Sequence, residues 1–249
     1  MTVAALLFSV LLASDGGTPS AARVASADEA FLRMDYPASI ARYEALLTSS
    51  PDDPQILWRI ARAYVCMGET LVDGRRKEYA LKAEQYARRC IRKDSLLAEG
   101  HTWVAGALGY VALDETLKRQ AELSFEILAE ADRALALNPN DDAALSIKGS
   151  LYRAIGNIGW VKRRIGDLLL GGVPEGGFEE SEAALLQAVS LAPEVMRHHY
   201  ELGILSIDMK KFDRARRELE VVLRLPVRVA IDIPRQEKAR DLLRSLGPP

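Results

Sequence analysis

The chain has 249 residues, of which 49% are hydrophobic and 27% are charged, and its formal net charge is -2 at pH 7. This is the composition of an ordinary soluble protein, and it excludes a largely disordered chain. The nearly neutral balance gives no reason to expect nucleic acid or an anionic membrane as a partner, so any basic site has to be local.

The N-terminal segment has an apolar run from Val3 to Ala13 that is too short to span a bilayer. Cleavage signals of the small-x-small kind follow it, ending at Ala22 and at Ala27. We therefore predict that residues 1–27 are a signal peptide or a disordered N-terminus. A signal peptide makes the protein periplasmic or secreted, with no transmembrane anchor in the mature chain, and a cytoplasmic protein is the alternative.

A turn signal recurs along the rest of the chain, each time after an Ala- and Leu-rich stretch of helical period. The turns are EALLTSSPDDP at Pro51, RRCIRKDSLLA at Ser95, RALALNPNDDA at Pro139 and QAVSLAPEVM at Pro193. The next turn, at Pro226, follows Pro193 at nearly the tetratricopeptide period of about 34 residues, and inserts lengthen the earlier intervals.

Small residues recur where paired helices of such repeats touch, at Ala61, Gly149 and Gly203. The one stretch typical of a strand, VRVAID at 227–232, is short. The predicted fold is therefore all-α: a tetratricopeptide-like α-solenoid of antiparallel helix pairs with an extra helical insert in the fourth unit. Residues 28–249 are predicted to form this single array, with about five helix pairs plus a C-terminal helix.

The first helix of each pair lines the concave face of tetratricopeptide arrays, and we carry this property over by resemblance. Aligning the units on their turns also places Thr102 toward that groove. Arginine and tryptophan are frequent anchors in binding sites. The alternative is that the tryptophan packs on a neighbouring helix and the arginines are solvated. The candidate residues for a ligand or partner groove are Trp58, Arg62, Tyr110, Ser150, Arg153, Arg197 and Tyr200.

The residues that catalysis or metal binding would use are few. The adjacent His198 and His199 point about 100° apart on a helix, so they do not form the i, i+4 pair of a helical zinc site. His199 is expected in the core, and no motif joins His101 to either cysteine. Cys66 and Cys90 are predicted to be buried free thiols. The sequence therefore predicts a protein that is not an enzyme and has no metal and no cofactor.

The segment GWVKRRIGDLLL at 159–170 interrupts the fourth unit and places basic residues beside an apolar helical face. It is either a brace that buries Trp160 and Ile165 against the array, or a docking helix whose basic side binds a partner. We favour the brace. The residues of interest in this insert are Trp160, Lys162, Arg163 and Arg164.

Three stretches together resemble the tetratricopeptide domain of the regulator of microtubule dynamics family: ILWRIARAY at 56–64, RALALNPNDDAALSIKGSLY at 133–152, and the insert with its continuation to 193. The most specific element is Trp-x-x-Arg-Arg-Ile followed by a Gly/Pro loop and a helix that begins FEES. The resemblance implies a binding role. Members in eukaryotes are associated with microtubules and with membranes, and the groove has been linked with lipid handling.

The leading functional hypothesis is a non-catalytic scaffold that holds a peptide or protein partner in the concave groove. The rival is a lipid-binding or lipid-handling module, in which the same groove buries acyl chains and the arginines hold the phosphate head group of a phospholipid. A shallow polar trough favours the first hypothesis, and a deep apolar cavity favours the second.

Overall fold

The computed structural model describes residues 21–71, 75–158 and 172–247, and these residues form eleven helices and no strand. The helices are α1 Ala21–Leu32, α2 Tyr36–Leu47, α3 Pro54–Glu69, α4 Arg75–Lys93, α5 Ala98–Ala112, α6 Leu117–Leu137, α7 Asp142–Gly156, α8 Phe178–Leu191, α9 Met196–Asp208, α10 Phe212–Arg224 and α11 Asp232–Ser245.

Acidic side chains begin several of these helices at the turns that the sequence marks. Asp53 accepts a hydrogen bond from the backbone N–H of Gln55 at 2.9 Å and precedes a proline at the first position of α3. Asp141 accepts from the N–H of Ala144 at 2.9 Å at the start of α7. These caps satisfy N–H groups that have no partner inside the helix, which explains why the turns recur as Pro and Asp clusters.

Consecutive helices pack in pairs, from α1 with α2 to α9 with α10, and α11 packs on the last pair. The first helices of successive pairs also touch one another, α3 with α5, α5 with α7 and α7 with α9. They therefore form one continuous inner layer. This arrangement confirms the predicted tetratricopeptide-like α-solenoid.

Close approaches within the pairs occur at the predicted small residues. A Cβ atom on Gly149 in α7 would lie 2.6 Å from Cγ of Leu185 in α8, and one on Gly203 in α9 would lie 3.0 Å from Cγ of Leu219 in α10. Ala61 in α3 is fully buried. The expectation that His199 is a core residue and that both cysteines are buried and free is confirmed.

Two features at the ends of the array differ from the sequence pattern. Residues 227–232 form no strand but a turn that leads into α11. Residues 21–27, which belong to the predicted signal or disordered segment, lie in α1, and Ala27 is buried there. Within the helices of the described ranges, none has both the length and the apolar character that a membrane span requires.

The stretch between α10 and α11 connects the last pair to the first. The N–H of Ala230 donates to the hydroxyl of Tyr36 at 3.0 Å, at the start of α2. Val229 and Ala230 pack against the hydrophobic cluster that α1, α2 and α3 form around Tyr43 and Ile60. The two ends of the array are therefore in contact.

Candidate functional site

Three arginines that the sequence analysis names lie in inner helices of the second, fourth and fifth units: Arg62 in α3, Arg153 in α7 and Arg197 in α9. In α3, the guanidinium of Arg62 lies 4.0 Å from the ring centroid of Phe31 and 3.7 Å from a carboxylate oxygen of Asp28. Burial lowers the pKa of Arg62. Its position is thus fixed by a ring on one side and by a carboxylate on the other.

Trp58 lies beside this arginine in the same helix and is half-buried. Its indole N–H donates to the Gln55 side chain at 3.1 Å, and Arg59 and Arg62 lie 4.3 and 5.1 Å from its ring centroid. Trp58 therefore forms a cation–π stack with two arginines at the first-unit end of the inner layer.

Glu69, at the C-terminal end of α3, is the centre of a second group. Its carboxylate accepts the hydrogen bond of the Tyr110 hydroxyl, and it lies 3.6 Å from a guanidinium nitrogen of Arg197 and 3.5 Å from one of Arg235. Only 5% of the Glu69 side chain is exposed. This cluster joins α3, α5, α9 and α11 through one buried carboxylate.

The charges in this cluster shift the pKa values of its members. Burial and the neighbouring Glu69 carboxylate both raise the pKa of Tyr110. Burial alone would lower the pKa of Arg197, but the acidic groups of Tyr110, Glu69 and Glu201 outweigh burial and raise it. Arg197 therefore keeps its charge in a poorly solvated place.

Arg153 in α7 forms a third group with carboxylates of α9. Its guanidinium is 3.0 Å from an oxygen of Asp208 and 3.8 Å from one of Glu201. Asn157 donates to the same Asp208 oxygen at 2.9 Å. Arg153 is thereby oriented along the inner layer between the fourth and fifth units.

The side chains of the remaining groove candidates make contacts within the fold. The hydroxyl of Ser150 donates to the carbonyl of Ser146 in its own helix at 2.9 Å. Tyr200 packs with Met196 in the C-terminal hydrophobic cluster. The expectation that Thr102 faces the groove is wrong, because its side chain is buried in the contact between two units, where its hydroxyl donates to Asp141 at 2.6 Å.

Sequence reasoning missed Glu69, Cys66 and Arg235 as members of the site. Glu69 and Cys66 follow Arg62 at i+7 and i+4, so the helical period places all three on one face, and this signal could have found them. Arg235 had no such signal, because 166 positions separate it from Glu69.

The described residues offer little for catalysis. They contain no group of three or more His, Cys, Asp or Glu side chains that could hold a metal ion. Burial raises the pKa of both Cys66 and Cys90 to about 12, so neither thiol is a thiolate at neutral pH. The insert residues Trp160, Lys162, Arg163 and Arg164 lie outside the described residues, and the choice between brace and docking helix stays a prediction.

Comparison with solved structures agrees with this architecture. A thermophilic TPR protein of Thermus thermophilus superposes with a TM-score of 0.65, at 17% sequence identity, over 90% of this chain and 97% of that one. This similarity shows that the two chains share a fold.

Comparison of sequences identifies the family. Regulator of microtubule dynamics protein 2 of Bos taurus is 23% identical over 220 residues, which are 86% of this chain and 54% of that protein. Regulator of microtubule dynamics protein 1 of Bos taurus is 26% identical over 181 residues, 70% of this chain and 57% of that protein. The chain thus spans about half the length of the curated relatives it matches. The family model described as regulator of microtubule dynamics protein 1-3 matches residues 24–247, and the chain belongs to this family.

Proposed function

We propose that the chain is a non-catalytic scaffold that binds a peptide or protein partner on the concave face of its array. One observation carries this proposal. The inner layer holds three arginines from three units, Arg62, Arg153 and Arg197, each fixed by carboxylates of the chain and still 25%, 27% and 23% exposed, respectively.

Arginines held in this way suit a ligand that has several acceptors along an extended chain. The Nε atoms of these three arginines are buried, so a ligand would bind the outer nitrogens of each guanidinium. A guanidinium has five N–H donors, and the carboxylate contacts of these arginines use only part of them. A guanidinium binds carboxylates and carbonyls in a planar fork, and a side chain that is already ordered loses little entropy on binding. Three such groups in one row match a peptide better than a single small anion.

The character of the inner layer supports a peptide over a lipid. Its central positions are charged, with Glu69, Glu201 and Asp208 set between the arginines. Acyl chains require a continuous apolar lining, since burying paired charges against hydrocarbon is costly. Native mass spectrometry of the purified chain checks this choice, because a co-purified phospholipid of one mass per chain would favour the lipid alternative.

The experiment replaces Arg62, Arg153 and Arg197 together by lysine, which keeps the charges beside their carboxylates and removes the planar forks. Partners are captured by cross-linking to the full chain in a lysate, and tubulin is tested directly because the relatives are named for microtubule dynamics. We expect the affinity for the captured protein to fall at least about tenfold, which corresponds to about 1.4 kcal/mol.

The matched control replaces three exposed arginines, Arg92, Arg133 and Arg240, by lysine in the same way. Thermal melts of both variants establish that the fold is retained. Equal loss of affinity in the control, or unchanged affinity in the inner-layer variant, would show that the partner binds elsewhere.

A further inference from the structure

The segment 225–235, hereafter the closing segment, lies across the first-unit end of the inner layer. It leaves α10, runs without regular structure to residue 231, and ends in the first turn of α11. Val229 and Ala230 pack on the cluster around Tyr36, and the N–H of Ala230 donates to the Tyr36 hydroxyl at 3.0 Å. It contacts the array through a turn, with two aliphatic side chains and one backbone N–H.

An arginine anchors the other end of the closing segment. Arg235 lies 3.5 Å from Glu69 and 3.1 Å from Asp232, and all three side chains are at most 10% exposed. Asp232 also accepts hydrogen bonds from the N–H groups of Arg228 and Val229 at 3.0 and 3.1 Å, which fixes the shape of the segment. The closing segment thus contributes an additional guanidinium to the inner-layer carboxylate that Arg197 already contacts.

The closing segment packs on a cluster that also contains side chains of the inner helix α3. Cys66 is buried in the cluster on which Val229 and Ala230 pack, and the charges of Glu69 and Arg235 act on its thiol. Tyr36, Cys66 and Glu69 belong to the first two units, whereas the segment belongs to the end of the chain. A partner extended along the inner layer would meet the closing segment at this end.

The contacts of the closing segment are few enough to be replaced. Its seven residues before α11 lie outside any helix, and Val229 and Ala230 are only half-buried. Segments with few buried contacts open at a lower free-energy cost than the packed helices around them. Since α11 also packs on α9 and α10, residues 225–231 can leave the first units while α11 stays in place and the Arg235 side chain releases Glu69.

We propose that the closing segment is an intramolecular ligand of the concave face. A partner replaces it by presenting the same chemistry, a turn with two aliphatic residues like Val229 and Ala230 and an arginine five positions later at the start of a helix. This inference rests on the proposed function, because it names the class of peptide that the concave face takes.

The first test uses the two native thiols. In the variant Tyr36→Phe with Arg235→Gln, the closing segment loses its hydrogen bond and its ion pair, while Glu69 keeps Tyr110 and Arg197 as partners. Modification by N-ethylmaleimide, measured site by site by mass spectrometry, should become at least about tenfold faster at Cys66, since local opening controls access. Cys90, which is buried near Pro54 and Gly100, should keep its wild-type rate.

The control variant Arg244→Gln removes an exposed ion pair with Asp241 in the same helix and should leave both rates unchanged. Equal acceleration at Cys66 and Cys90 in the double variant would mean general unfolding and would overturn the proposal. An unchanged Cys66 rate in the double variant would also overturn it.

The second test asks whether the segment competes as a ligand. A fluorescent peptide with the sequence LPVRVAIDIPR, residues 225–235, should bind the single variant Arg235→Gln at least about tenfold more tightly than the wild-type chain, since this variant loosens the segment and keeps the Tyr36 hydroxyl that accepts the N–H of Ala230. The same peptide with its last arginine replaced by glutamine should lose that binding. Equal binding of the peptide to the variant and to the wild-type chain, or no binding to the variant, would overturn the proposal that the segment is an intramolecular ligand. Neither test uses a captured partner. Failure of the intramolecular ligand is therefore distinct from failure of the proposed function, which the lysine variant of the three arginines tests.

Discussion

His101 and His199 occupy equivalent places in the third and fifth units. Nδ1 of His101 lies 2.6 Å from a Glu130 oxygen and its Nε2 lies 3.1 Å from the carbonyl of Ser95. His199 contacts Glu218 at 2.7 Å and the carbonyl of Pro193 at 2.9 Å in the same way. Each ring therefore ties the first helix of its pair to the second helix and to the preceding turn.

His199 makes the stability of the fold depend on pH. Burial lowers its pKa, but the hydrogen bonds to Glu218 and to the Pro193 carbonyl outweigh burial, so the pKa of His199 lies above its ordinary value. Since the folded state binds the proton more tightly, this contribution is complete below the unfolded pKa of about 6.5 and is lost as pH rises through the raised folded pKa.

The variant His199→Gln should therefore be less stable than the wild type by about 1.5–3 kcal/mol at pH 6, the contribution of hydrogen bonds to charged groups. The difference should shrink as the pH is raised from 6 through the raised folded pKa, because the wild-type ring then loses its proton. Urea denaturation across this pH range measures it. A difference that is independent of pH would show that the ring acts only through its packing.

A substitution at Gly203 tests the contact between α9 and α10 in the fifth unit. Because a Cβ atom there would lie 3.0 Å from Leu219, Gly203→Leu should overpack the contact and cost about 1–3 kcal/mol. Gly109 in α5 is the matched control, since a Cβ there meets nothing within 4 Å. Gly109→Leu should be neutral or stabilising, as it improves helix propensity. Thermal melts that rank the two variants in the opposite order would contradict this placement.

At the scale of elements, the sequence predicted most of what the structure contains. Turn residues such as Pro51, Asp53 and Asp141 mark helix ends because they act locally, through capping and through the fixed proline backbone. Aligning the units on these turns also assigned Arg62 and Arg153 to the first helices of their pairs, where the structure has them. Their partners could not be predicted, since the contact of Arg153 with Asp208 spans 55 positions and follows from how the units stack.

The contacts that helix α1 makes with α2 distinguish the two predicted cleavage sites, after Ala22 and after Ala27. Ser39 in α2 donates to the carbonyl of Ala27 at 3.0 Å, and Arg42 donates to the carbonyl of Ser26 at 2.7 Å. If the protein is exported, cleavage after Ala22 keeps these contacts, whereas cleavage after Ala27 removes them.

We therefore predict that the exported chain begins at Arg23. Intact-mass measurement of the protein recovered from the periplasm or medium checks this expectation. A version that begins at Asp28 should be less stable by about 1–3 kcal/mol, since two hydrogen bonds of about 1 kcal/mol and a buried alanine are lost. Recovery of a mature chain that begins at Asp28 would contradict the prediction.

At the scale of the whole molecule, charged side chains organise the inner layer and hydrophobic clusters organise the contacts between helices. The clusters around Leu108, Tyr43 and Leu219 hold successive parts of the array together. The buried carboxylate of Glu69 is different, because it links helices from the second, third and fifth units and α11. Long-range order in this chain therefore depends on a few polar contacts that the repeats alone do not provide.

The contact between Tyr36 and Ala230, 194 positions apart, has a consequence for the number of repeats. In an open solenoid each unit touches only its neighbours, so units can be gained or lost without affecting the ends. Here an added pair would move residues 225–235 away from Tyr36 by about the 8–10 Å that separates packed helices. Duplication or loss of a unit would thus break the contact between the two ends of the array. We therefore expect this contact to limit how far the number of helix pairs can vary.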